Sequence, residues 1–444
     1  MRVSIIGAGY VGLVSGVGLA QVGHQVVCVD RDHSKIDLIN KGLSPIYEDG
    51  LEALLTANLG ERLRAVTDLR QAVHATDLTL IAVGTPFDGE WIGLQTIEEV
   101  SREIGEALAT KAEYHTVVVK STVLPGTTDS VVLPILEQAS GKRAGEDFGV
   151  GMNPEFLREG DAIRDFMNPD RIVLGGIDRR SQDALAELYA PFTAAEQLRT
   201  NTRTAEMIKY TANSLLATLI SFSNEIADLT AKVGVDAMEA MRGVHLDKRL
   251  TPINTVDGSR VWPGAISYLQ PGCGFGGSCL PKDVKALIAF GAEHGSPMRI
   301  LQAVIDVNEG QPAKMLELLG RHISDLKGAP ITVLGLAFKP GTDDIRESPS
   351  LEVTERLLAE GARVVVYDPV ANHEVAKVFG DRIAYADSLE SALDDAQGVL
   401  IMTNWSQFQR LPELLRDHDR QPVVVDGRRL LPKDSVSVYE GMGL

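Results

Sequence analysis

Gly7-Ala8-Gly9-Tyr10-Val11-Gly12 lies between a short apolar run, Arg2–Ile6, and a helix-like stretch at residues 13–22. A second apolar run, Gln25–Val29, follows and ends at Asp30. A strand, a glycine-rich turn, a helix and a second strand in this order predict a βαβ unit with parallel strands.

The three glycines of this turn have separate roles in such a unit. Gly7 permits the tight turn, Gly9 admits the pyrophosphate of a dinucleotide, and Gly12 lets helix and strand pack closely. The N–H groups at the helix start donate to the phosphates. Asp30 is placed to bind both ribose hydroxyls and to repel a 2′-phosphate, which favours NAD over NADP. A glycine-rich turn without a cofactor is the alternative.

Four further apolar runs have the length of strands, and helical stretches separate them. The runs occupy residues 78–83, 116–120, 148–151 and 171–175, and the helical stretches include 97–108 and 129–138. Such alternation predicts a doubly wound parallel sheet, whose ligands bind at the carboxyl ends of the strands. Three runs lead into polar or turn-forming motifs: Gly84-Thr85-Pro86, residues 121–127 and residues 153–160. Each motif alone is compatible with an ordinary loop, but three along one sheet edge favour a site.

The composition limits the kind of protein. A chain of 444 residues with 44% hydrophobic and 23% charged residues is expected to form two to three globular domains. Its net charge of -18 argues against a general surface for nucleic acid or an anionic membrane. Glycines interrupt the apolar N-terminal stretch, so it is not read as a signal peptide, and no later segment has the length of a membrane span. Three cysteines without zinc-ligand spacing predict a cytoplasmic protein with no metal site.

A helical pattern without glycine or proline begins near Thr204. Its apolar residues fall three, four or seven positions apart, at Ile208, Leu215, Leu219, Phe222, Ile226, Leu229 and Val233. The pattern predicts about thirty residues, roughly 45 Å, of helix, which we expect to link domains and to form a dimer seam. Lys209 and Asn213 share one face near its start. They are either a solvated pair or, if buried, a site that holds an oxyanion or a water.

A second glycine-rich loop, Pro-Gly-Cys-Gly-Phe-Gly-Gly-Ser-Cys-Leu-Pro-Lys-Asp, occupies residues 271–283. Its glycines allow positive φ angles and a close approach to a ligand. A helix can begin at its end, with Ser278 as N-cap and Pro281 in the first turn. Cys279 would then lie near free N–H groups and Lys282, conditions that lower the pKa of a thiol and make it a nucleophile. A buried structural cysteine is the alternative.

The last third repeats the opening layout. A strand at residues 331–336, a helix at 351–360 and a strand at Arg363–Tyr367 form a βαβ pattern without GxGxxG, and strands at 398–402 and 422–425 continue it. Lys339 and Arg346 follow the first of these strands and favour a second, different phosphorylated ligand. A structural α/β domain with solvated basic residues is the alternative.

Together these motifs resemble the nucleotide-sugar 6-dehydrogenases, the family of UDP-glucose and GDP-mannose dehydrogenases, across nearly the whole chain. The resemblance rests on Gly7-x-Gly9-x-x-Gly12, Gly84-Thr85-Pro86, residues 121–126 and 153–160, Glu206-x-x-Lys209-x-x-x-Asn213, residues 276–283, and Phe338-Lys339 with Arg346-Glu347-Ser348. It implies an α/β protein with two Rossmann-like doubly wound domains joined by a long central helix. The implied domains are an NAD-binding domain at 1–200, a central helical and dimerisation region with the cysteine loop at 201–311, and a nucleotide-sugar-binding domain at 312–444.

The resemblance also implies a four-electron oxidation of a sugar C6 alcohol to a carboxylate, with two NAD and one water. Cys279 would attack the C6 aldehyde to give a thiohemiacetal, and a second hydride transfer would leave a thioester. The motif match assigns oxyanion stabilisation to Lys209 and Asn213, water positioning and proton transfer to Asp283 and Thr122, and acid/base or water-orienting work in thioester hydrolysis to Glu155.

Binding residues come from the same match. Those implied for NAD are Gly7, Gly9, Val11, Gly12, Asp30, Lys35, Thr85, Thr122, Glu159, Lys282 and Arg346. Those implied for the nucleotide-sugar substrate are Phe156, Leu157, Lys209, Asn213, Arg249, Tyr268, Leu269, Gly276 and Lys339. In relatives the arginine at the position of Arg249 reaches across a dimer interface, so the resemblance implies a homodimer.

One departure from the family pattern bears on the sugar. Residues 251–263 form an extra polar segment, which is almost absent from many UDP-glucose enzymes. The Asp-x-Arg before it and Tyr268-Leu269 after it favour conversion of UDP-glucose to UDP-glucuronate. Residues 115–151 are equally similar to the GDP-mannose branch, which makes GDP-mannuronate the alternative product. Enzymes of UDP-N-acetylhexosamines fit less well, because residues 153–160 are of the glucose and mannose type.

Two hypotheses of other kinds are considered. A two-electron β-hydroxyacid or glycerol-phosphate type dehydrogenase shares the N-terminal domain and the long helix but needs no thiol, so it would tolerate Cys279→Ser. A dinucleotide-sensing or nucleotide-sugar-binding regulator would bind NAD without forming NADH, and it leaves the arrangement from Cys279 to Asp283 unexplained.

Overall fold

The computed structural model describes residues 1–88, 92–247, 249–250, 253–254, 260–261, 264–416 and 421–444. The chain divides into two compact units, Met1–Ala212 and Asn213–Leu444. The division falls inside one long helix, Thr202–Lys232. The three-domain boundaries expected from the sequence stay a prediction.

One sheet organises the first unit. Its described strands are β1 (Arg2–Ile6), β2 (Gln25–Val29), β3 (Leu63–Val66), β4 (Leu78–Ile81), β5 (His115–Val119), β6 (Phe148–Met152), β7 (Arg171–Gly176) and β8 (Glu196–Thr200). Their order across the sheet is β3-β2-β1-β4-β5-β6-β7-β8, and β6 with β7 is the antiparallel pair among otherwise parallel neighbours. The doubly wound sheet is confirmed. The sequence pattern did not predict β3 and β8, because their exposed positions break the apolar runs.

The helices of the first unit pack against both faces of this sheet. They are α1 (Tyr10–Gln21), α2 (His33–Asn40), α3 (Leu51–Asn58), α4 (Leu69–Ala75), α5 (Gln95–Thr110), α6 (Leu133–Ser140), α7 (Ala162–Met167) and α8 (Arg179–Leu188), with a π-helical turn at Thr128–Val132. Side chains of a strand alternate between faces. Val26 and Cys28 of β2 therefore join one buried cluster, and Val27 and Val29 join another.

The long helix predicted from its spacing is α9 (Thr202–Lys232), with 31 residues. Further helices follow: α10 (Ala237–His245), α11 (Leu280–Glu293), α12 (Arg299–Glu309) and α13 (Gln311–Gly320), with a 3-10 turn at Gly264–Tyr268. Within the extra segment at 251–263, β9 (Ile253–Asn254) pairs antiparallel with β10 (Arg260–Val261). The rest of that segment lies outside the described residues.

A second parallel sheet organises the C-terminal part of the second unit. Its strands are β11 (Pro330–Leu334), β12 (Arg363–Tyr367), β13 (Ala384–Tyr385), β14 (Gly398–Ile401), β15 (Val423–Asp426) and β16 (Tyr439–Gly441). Its helices are α14 (Pro349–Ala359), α15 (Asn372–Phe379), α16 (Leu389–Leu393) and α17 (Leu411–Leu415), with 3-10 turns at Gly380–Arg382 and Ser406–Arg410. The strand order β13-β12-β11-β14-β15-β16 repeats that of the first six strands of the chain, and it contains the βαβ repeat that the sequence predicts. In the described part of the chain, no helix is both long and apolar enough to cross a bilayer.

Candidate functional site

The glycine-rich turn after β1 has the geometry of a phosphate-binding turn. Gly7 has a φ of 100°, a left-handed value that favours glycine. A Cβ at Gly12 would lie 1.8 Å from the carbonyl oxygen of Gly7, so only glycine permits this helix-strand contact. At Gly9 a Cβ would meet no protein atom within 4 Å. Gly9 therefore faces open space, where a pyrophosphate would fit.

Asp30 lies at the end of β2, beside this turn. Its Oδ2 accepts a 2.9 Å hydrogen bond from the N–H of Ala8, and its Oδ1 accepts one of 3.0 Å from the N–H of Asp32. The amine of Lys35 is 3.8 Å from Oδ2. These contacts fix the Asp30 carboxylate where β2 meets the turn. Val11, another residue predicted to bind NAD, lies in the first turn of α1.

The motifs after β4, β5 and β6 lie at neighbouring carboxyl ends of the sheet, as predicted. The hydroxyl of Thr85 donates a 2.8 Å hydrogen bond to the backbone oxygen of Thr122. Glu206 on α9 accepts hydrogen bonds from the N–H groups of Gly126, at 2.5 Å, and Thr128, at 2.8 Å. Glu206 thus fixes the turn that carries Thr122, a role that its position in the sequence motif did not reveal.

Lys209 and Glu155 form a buried ion pair. The amine lies 2.7 Å from Oε1, and the two side chains are 4% and 5% exposed. Burial alone would raise the pKa of Glu155, but the charge and hydrogen bond of Lys209 and the N–H of Leu157 outweigh it and lower the pKa. The Lys209 amine also lies 5.6 Å from the ring centroid of Phe156. Lys209 is therefore buried and paired, and the alternative of a solvated side chain is wrong for it.

A cavity of about 370 Å³ opens beside this pair. It is lined by Lys120, Asn153, Pro154, Glu155, Phe156, Leu157, Arg158, Arg164, Asp165, Phe166, Asn168, Pro169, Asp170, Arg171, Ile172 and Tyr189. Three of the sequence-predicted residues therefore share one cavity. No sequence pattern pointed to Lys120 or Tyr189, which lie in apolar or helical runs.

Glu48 is a second buried carboxylate that sequence reasoning missed. Its oxygens accept 2.7 Å hydrogen bonds from the N–H groups of Gly160 and Ala162, and the hydroxyl of Tyr10 donates to it. It thereby ties the start of α1 to the end of the motif at 153–160, next to the half-buried Glu159. Its only signal in the sequence is a glutamate directly before the turn-forming Asp49-Gly50.

In the second unit, Cys279 occupies the N-cap position of α11. The prediction of Ser278 as N-cap is wrong by one residue, because the backbone oxygen of Cys279 already accepts the first helical bond, from the N–H of Asp283 at 2.9 Å. The Ser278 hydroxyl is 3.7 Å from the thiol sulfur. Pro281 lies in the first turn, as predicted, and the half-buried thiol lies at the positive end of the helix.

Asp283 lies one turn further along α11 and is 1% exposed. The side-chain amide of Asn213 donates a 2.7 Å hydrogen bond to its Oδ2, and the amine of Lys282 lies 2.7 Å from its Oδ1. Lys282 is therefore paired with the carboxylate that follows it in the chain. Both oxygens of Asp283 are held in fixed directions.

The loop before Cys279 is held by side chains that the sequence did not point to. Asn224 accepts from the N–H of Gly272 at 2.8 Å. Asn308 accepts from the N–H of Phe275 at 2.8 Å and donates to its oxygen at 3.0 Å. Such contacts depend on tertiary packing and leave no local pattern.

The same loop packs against the second basic motif. A Cβ at Gly276 would lie 2.1 Å from the backbone oxygen of Glu347, which has a left-handed φ of 53°. The N–H of Gly277 donates a 2.8 Å bond to the backbone oxygen of Arg346. Arg346 makes a two-bond ion pair with Asp344, and the amine of Lys339 lies 5.9 Å from the Phe338 ring centroid. The structure thus joins the thiol loop to the motif after β11.

Asp368 ends β12 as Asp30 ends β2, but its oxygens are already occupied. Oδ2 accepts from the N–H groups of Leu336 and Ala337 and from the indole of Trp405. Because Asp368 is 2% exposed, no ribose hydroxyl reaches it in this arrangement. The second sheet therefore keeps the dinucleotide-binding topology without a free acidic residue at this position.

The remaining predicted substrate residues are less closely gathered. The side chain of Arg249 is 88% exposed and forms a two-bond ion pair with Asp247. Tyr268 ends a 3-10 turn, and the buried Leu269 follows it. The oxygen of Leu269 lies 3.1 Å from a ring nitrogen of His245.

Potential metal ligands are grouped elsewhere. In the described residues, Asp343, His373 and Glu374 have ligand atoms within 4.8 Å of one another. Their side chains pair among themselves, and Lys377 pairs with Glu374. This surface group has the pattern of a local salt-bridge network.

Comparison with known proteins gives matches along nearly the whole chain. Three sequence profiles of the UDP-glucose/GDP-mannose dehydrogenase family match: the NAD binding domain at residues 1–193, the central domain at 203–310 and the UDP binding domain at 332–433. A UDP-glucose 6-dehydrogenase of Haloferax volcanii is 43% identical, with 100% of both chains covered. A GDP-mannose 6-dehydrogenase of Pseudomonas putida is 43% identical, with 93% of each covered. The solved UDP-glucose dehydrogenase of Pyrobaculum islandicum is 41% identical, with a TM-score of 0.89 and coverage of 100% and 97%.

Proposed function

Because the chain belongs to the UDP-glucose/GDP-mannose dehydrogenase family, we propose that it oxidises the C6 alcohol of UDP-glucose to the carboxylate of UDP-glucuronate, with NAD as the oxidant. The observation that carries this proposal is the half-buried thiol of Cys279 at the start of α11, one turn before a buried carboxylate. A two-electron dehydrogenase has no use for this thiol, whereas a four-electron oxidation needs a group that holds the carbon between its two oxidations.

The first unit fits the cofactor. Gly9 leaves open space where the diphosphate would approach, and the N–H groups at the start of α1 would hold its charge. Asp30 would bind the ribose hydroxyls. When bound, NAD accepts a hydride in each of the two oxidations. Other residues that would hold it are Gly7, Val11, Gly12, Lys35, Thr85, Thr122, Glu159, Lys282 and Arg346.

The chain's own residues would carry the other steps. After the first oxidation, the Cys279 thiolate adds to the aldehyde carbon, and the carbonyl electron pair moves to oxygen as a thiohemiacetal alkoxide. Loss of a second hydride from that carbon leaves the thioester. Water then adds, the carbon–sulfur bond breaks, and the carboxylate leaves with the thiolate restored.

Protons and developing charge need fixed partners. Lys209 and Asn213 would stabilise the oxygen anion by donating hydrogen bonds. Asp283, held by Asn213, and Thr122 would position water and move protons. Glu155 has a lowered pKa and is ionised near neutral pH, so it would orient the hydrolytic water and accept its proton.

The nucleotide sugar would be held by residues of several loops. Gly276 packs against the backbone of Glu347, so the thiol loop lies directly against the motif that carries Lys339 and Arg346. The residues that we assign to the substrate are Phe156, Leu157, Lys209, Asn213, Arg249, Tyr268, Leu269, Gly276 and Lys339.

UDP-glucose is favoured over GDP-mannose by residues on either side of the extra segment. Asp247 holds the Arg249 guanidinium in one direction, and Tyr268-Leu269 follows, as in UDP-glucose enzymes. GDP-mannose is the second candidate, because a GDP-mannose 6-dehydrogenase is as similar in sequence as the UDP-glucose enzyme.

The test follows NADH absorbance with UDP-glucose, GDP-mannose and UDP-N-acetylhexosamines in parallel. We expect two NADH per molecule of UDP-glucose, and we expect Cys279→Ser to abolish formation of the carboxylate. One NADH per sugar, or full activity of Cys279→Ser, would refute the four-electron mechanism. Turnover confined to GDP-mannose would replace the substrate but keep the mechanism.

We also propose a homodimer that uses α9. Leu215, Phe222 and Leu229 are exposed and seven residues apart, so they form one apolar stripe along the helix. Replacing Phe222 and Leu229 by Glu should give a monomer in analytical ultracentrifugation. Val378→Glu, at an exposed apolar position on α15, is the control and should leave the assembly unchanged. We also propose a cytoplasmic location, which the three cysteines, two of them buried, support.

A further inference from the structure

Glu155 has two buried lysines near it, and the mechanism above uses only one. Lys209 donates the 2.7 Å bond to its carboxylate. Lys120, directly after β5, is 4% exposed and lines the same cavity as Glu155. Within the described part of the chain Lys120 forms no ion pair: its amine donates to Oδ1 of Asn153 at 2.8 Å and to the hydroxyl of Tyr189 at 3.3 Å.

An ammonium group without a carboxylate partner is costly to bury. Burial lowers the pKa of Lys120 to about 8; the charge of Glu155 opposes this change and that of Lys209 adds to it. A bridge between Asn153 and Tyr189 needs no charge, since both partners are neutral. The buried amine therefore needs a reason beyond that bridge.

The network around Lys120 controls where Glu155 lies. Asn153 begins the loop that carries Glu155, and its Oδ1 accepts from Lys120 and, at 2.5 Å, from the hydroxyl of Tyr189. Its amide donates a 2.9 Å bond to the oxygen of Val173 on β7. All three side chains are buried, so a shift of Asn153 has to move the backbone two residues before Glu155.

A charge count gives the second reason. With both amines protonated and Glu155 ionised, the three groups carry a net charge of +1. An oxygen anion that develops on the substrate beside Lys209 brings this sum to zero. If Lys120 is neutral, the same anion leaves an uncompensated negative charge in a buried site, which is unfavourable.

We propose that Lys120 is a positioning residue for the oxidation: it fixes the loop of Glu155 through Asn153, and its charge keeps Glu155 ionised while Lys209 serves the substrate oxygen. This assignment rests on the proposed function. The titratable groups around Lys120 are Glu155, Lys209 and Tyr189, with Arg158, Arg164, Asp165, Asp170 and Arg171 on the wall of the cavity. Arg158 is paired with Asp165, and Arg171 lies over the Phe156 ring.

The experiment measures kcat and the KM for NAD against pH, by varying NAD at saturating nucleotide sugar. We expect kcat of the unmodified enzyme to fall as pH rises through about 8, where Lys120 loses its proton. Lys120→Met should lower kcat at neutral pH by about 10- to 100-fold, leave KM for NAD unchanged and remove this alkaline fall. Lys120→Arg keeps the charge, so it should restore part of kcat without the alkaline fall. Tyr189→Phe removes a hydrogen bond but no charge, so the alkaline fall should persist.

Several results would overturn the assignment. One is a Lys120→Met enzyme with unchanged kcat and pH profile; another is a Tyr189→Phe enzyme that loses the alkaline fall as Lys120→Met does. If Lys120→Met does not fold, the pH profiles of the unmodified enzyme and of Lys120→Arg provide the test. A kcat of the unmodified enzyme that does not fall near pH 8 would then contradict the assignment. An unmodified protein that oxidises no nucleotide sugar would refute the proposed function and this assignment together.

Discussion

The amine of Lys209, on the long helix α9, lies 2.7 Å from a carboxylate oxygen of Glu155, in the loop after β6, and both side chains are buried. The pair is 54 positions apart in the chain, so only folding brings it together. Lys209 holds Glu155 in its ionised form, which is the form that can accept a proton from water.

Glu155→Gln should separate the two halves of the reaction. The substitution keeps the shape of the side chain but removes the proton acceptor, so thioester hydrolysis should slow by about 100-fold or more. The acyl group should then remain on Cys279 and appear in mass spectra of the acid-quenched enzyme. The double variant with Cys279→Ser is the control and should carry no adduct. Normal turnover of Glu155→Gln would exclude this role.

Gly9→Ala and Gly12→Ala should fail in different ways. A Cβ at Gly9 meets no protein atom within 4 Å, so the free energy of unfolding should hardly change. The methyl group would instead occupy the space of the diphosphate and weaken NAD binding about tenfold or more, as isothermal titration would show. A Cβ at Gly12 lies 1.8 Å from backbone, so Gly12→Ala should lower the free energy of unfolding by about 1–3 kcal/mol or more in urea titrations. Equal NAD affinity in Gly9→Ala and the unmodified protein would contradict this reading.

Gly276→Ala should disable the thiol loop without harming the first unit. The new methyl group would lie 2.1 Å from the backbone oxygen of Glu347, so the loop and the motif after β11 have to separate. Turnover should fall by about 100-fold, whereas NAD affinity should be unchanged. Gly243→Ala is the matched control in the second unit, because a Cβ there meets nothing within 4 Å. Comparable activity of the two variants would show that the contact is unimportant.

His115 should make the protein sensitive to acid. Burial and, to a smaller extent, the nearby charge of Lys111 lower its pKa from 6.5 to about 3. The folded state therefore favours neutral imidazole, so this contribution to stability is complete above pH 6.5 and is lost as pH falls toward 3. The slope from one such group is about 1.4 kcal/mol per pH unit within that window.

Urea unfolding at pH 7.5 and 5.5 measures this effect. Between pH 7.5 and pH 5.5, the free energy of unfolding of the unmodified protein should fall by about 1 kcal/mol more than that of His115→Gln. His33→Gln, which changes an exposed histidine on α2, is the control variant. An unchanged slope in His115→Gln would mean that another group dominates the acid response.

Local rules explain why so much of the fold was predictable. The positive φ at Gly7, the contact at Gly12 and the acidic residue at the end of β2 depend on positions within one βαβ unit. The periodicity of α9 and the repeated βαβ pattern in the last third are likewise properties of short windows. The sequence patterns missed the edge strand β8, because it is largely exposed and no apolar run marks it.

The candidate site depended on contacts between distant residues. The hydrogen bond from Asn213 to Asp283 joins residues 70 positions apart, and the one between Phe275 and Asn308 joins residues 33 positions apart. Ser278 was a reasonable N-cap by type, but the loop geometry gave that position to Cys279.

The amino-acid sequence by itself determined the two doubly wound sheets, the long helix and the order of the family's motifs. Backbone conformation and periodic burial depend mainly on neighbouring residues, so local sequence predicts them. Only the tertiary structure decided which charges are buried together, that Glu155 pairs with Lys209 and that Lys120 lines the cavity beside them. The energy of a buried charge depends on the groups that surround it in space, and the residues next to it in the chain do not determine those groups.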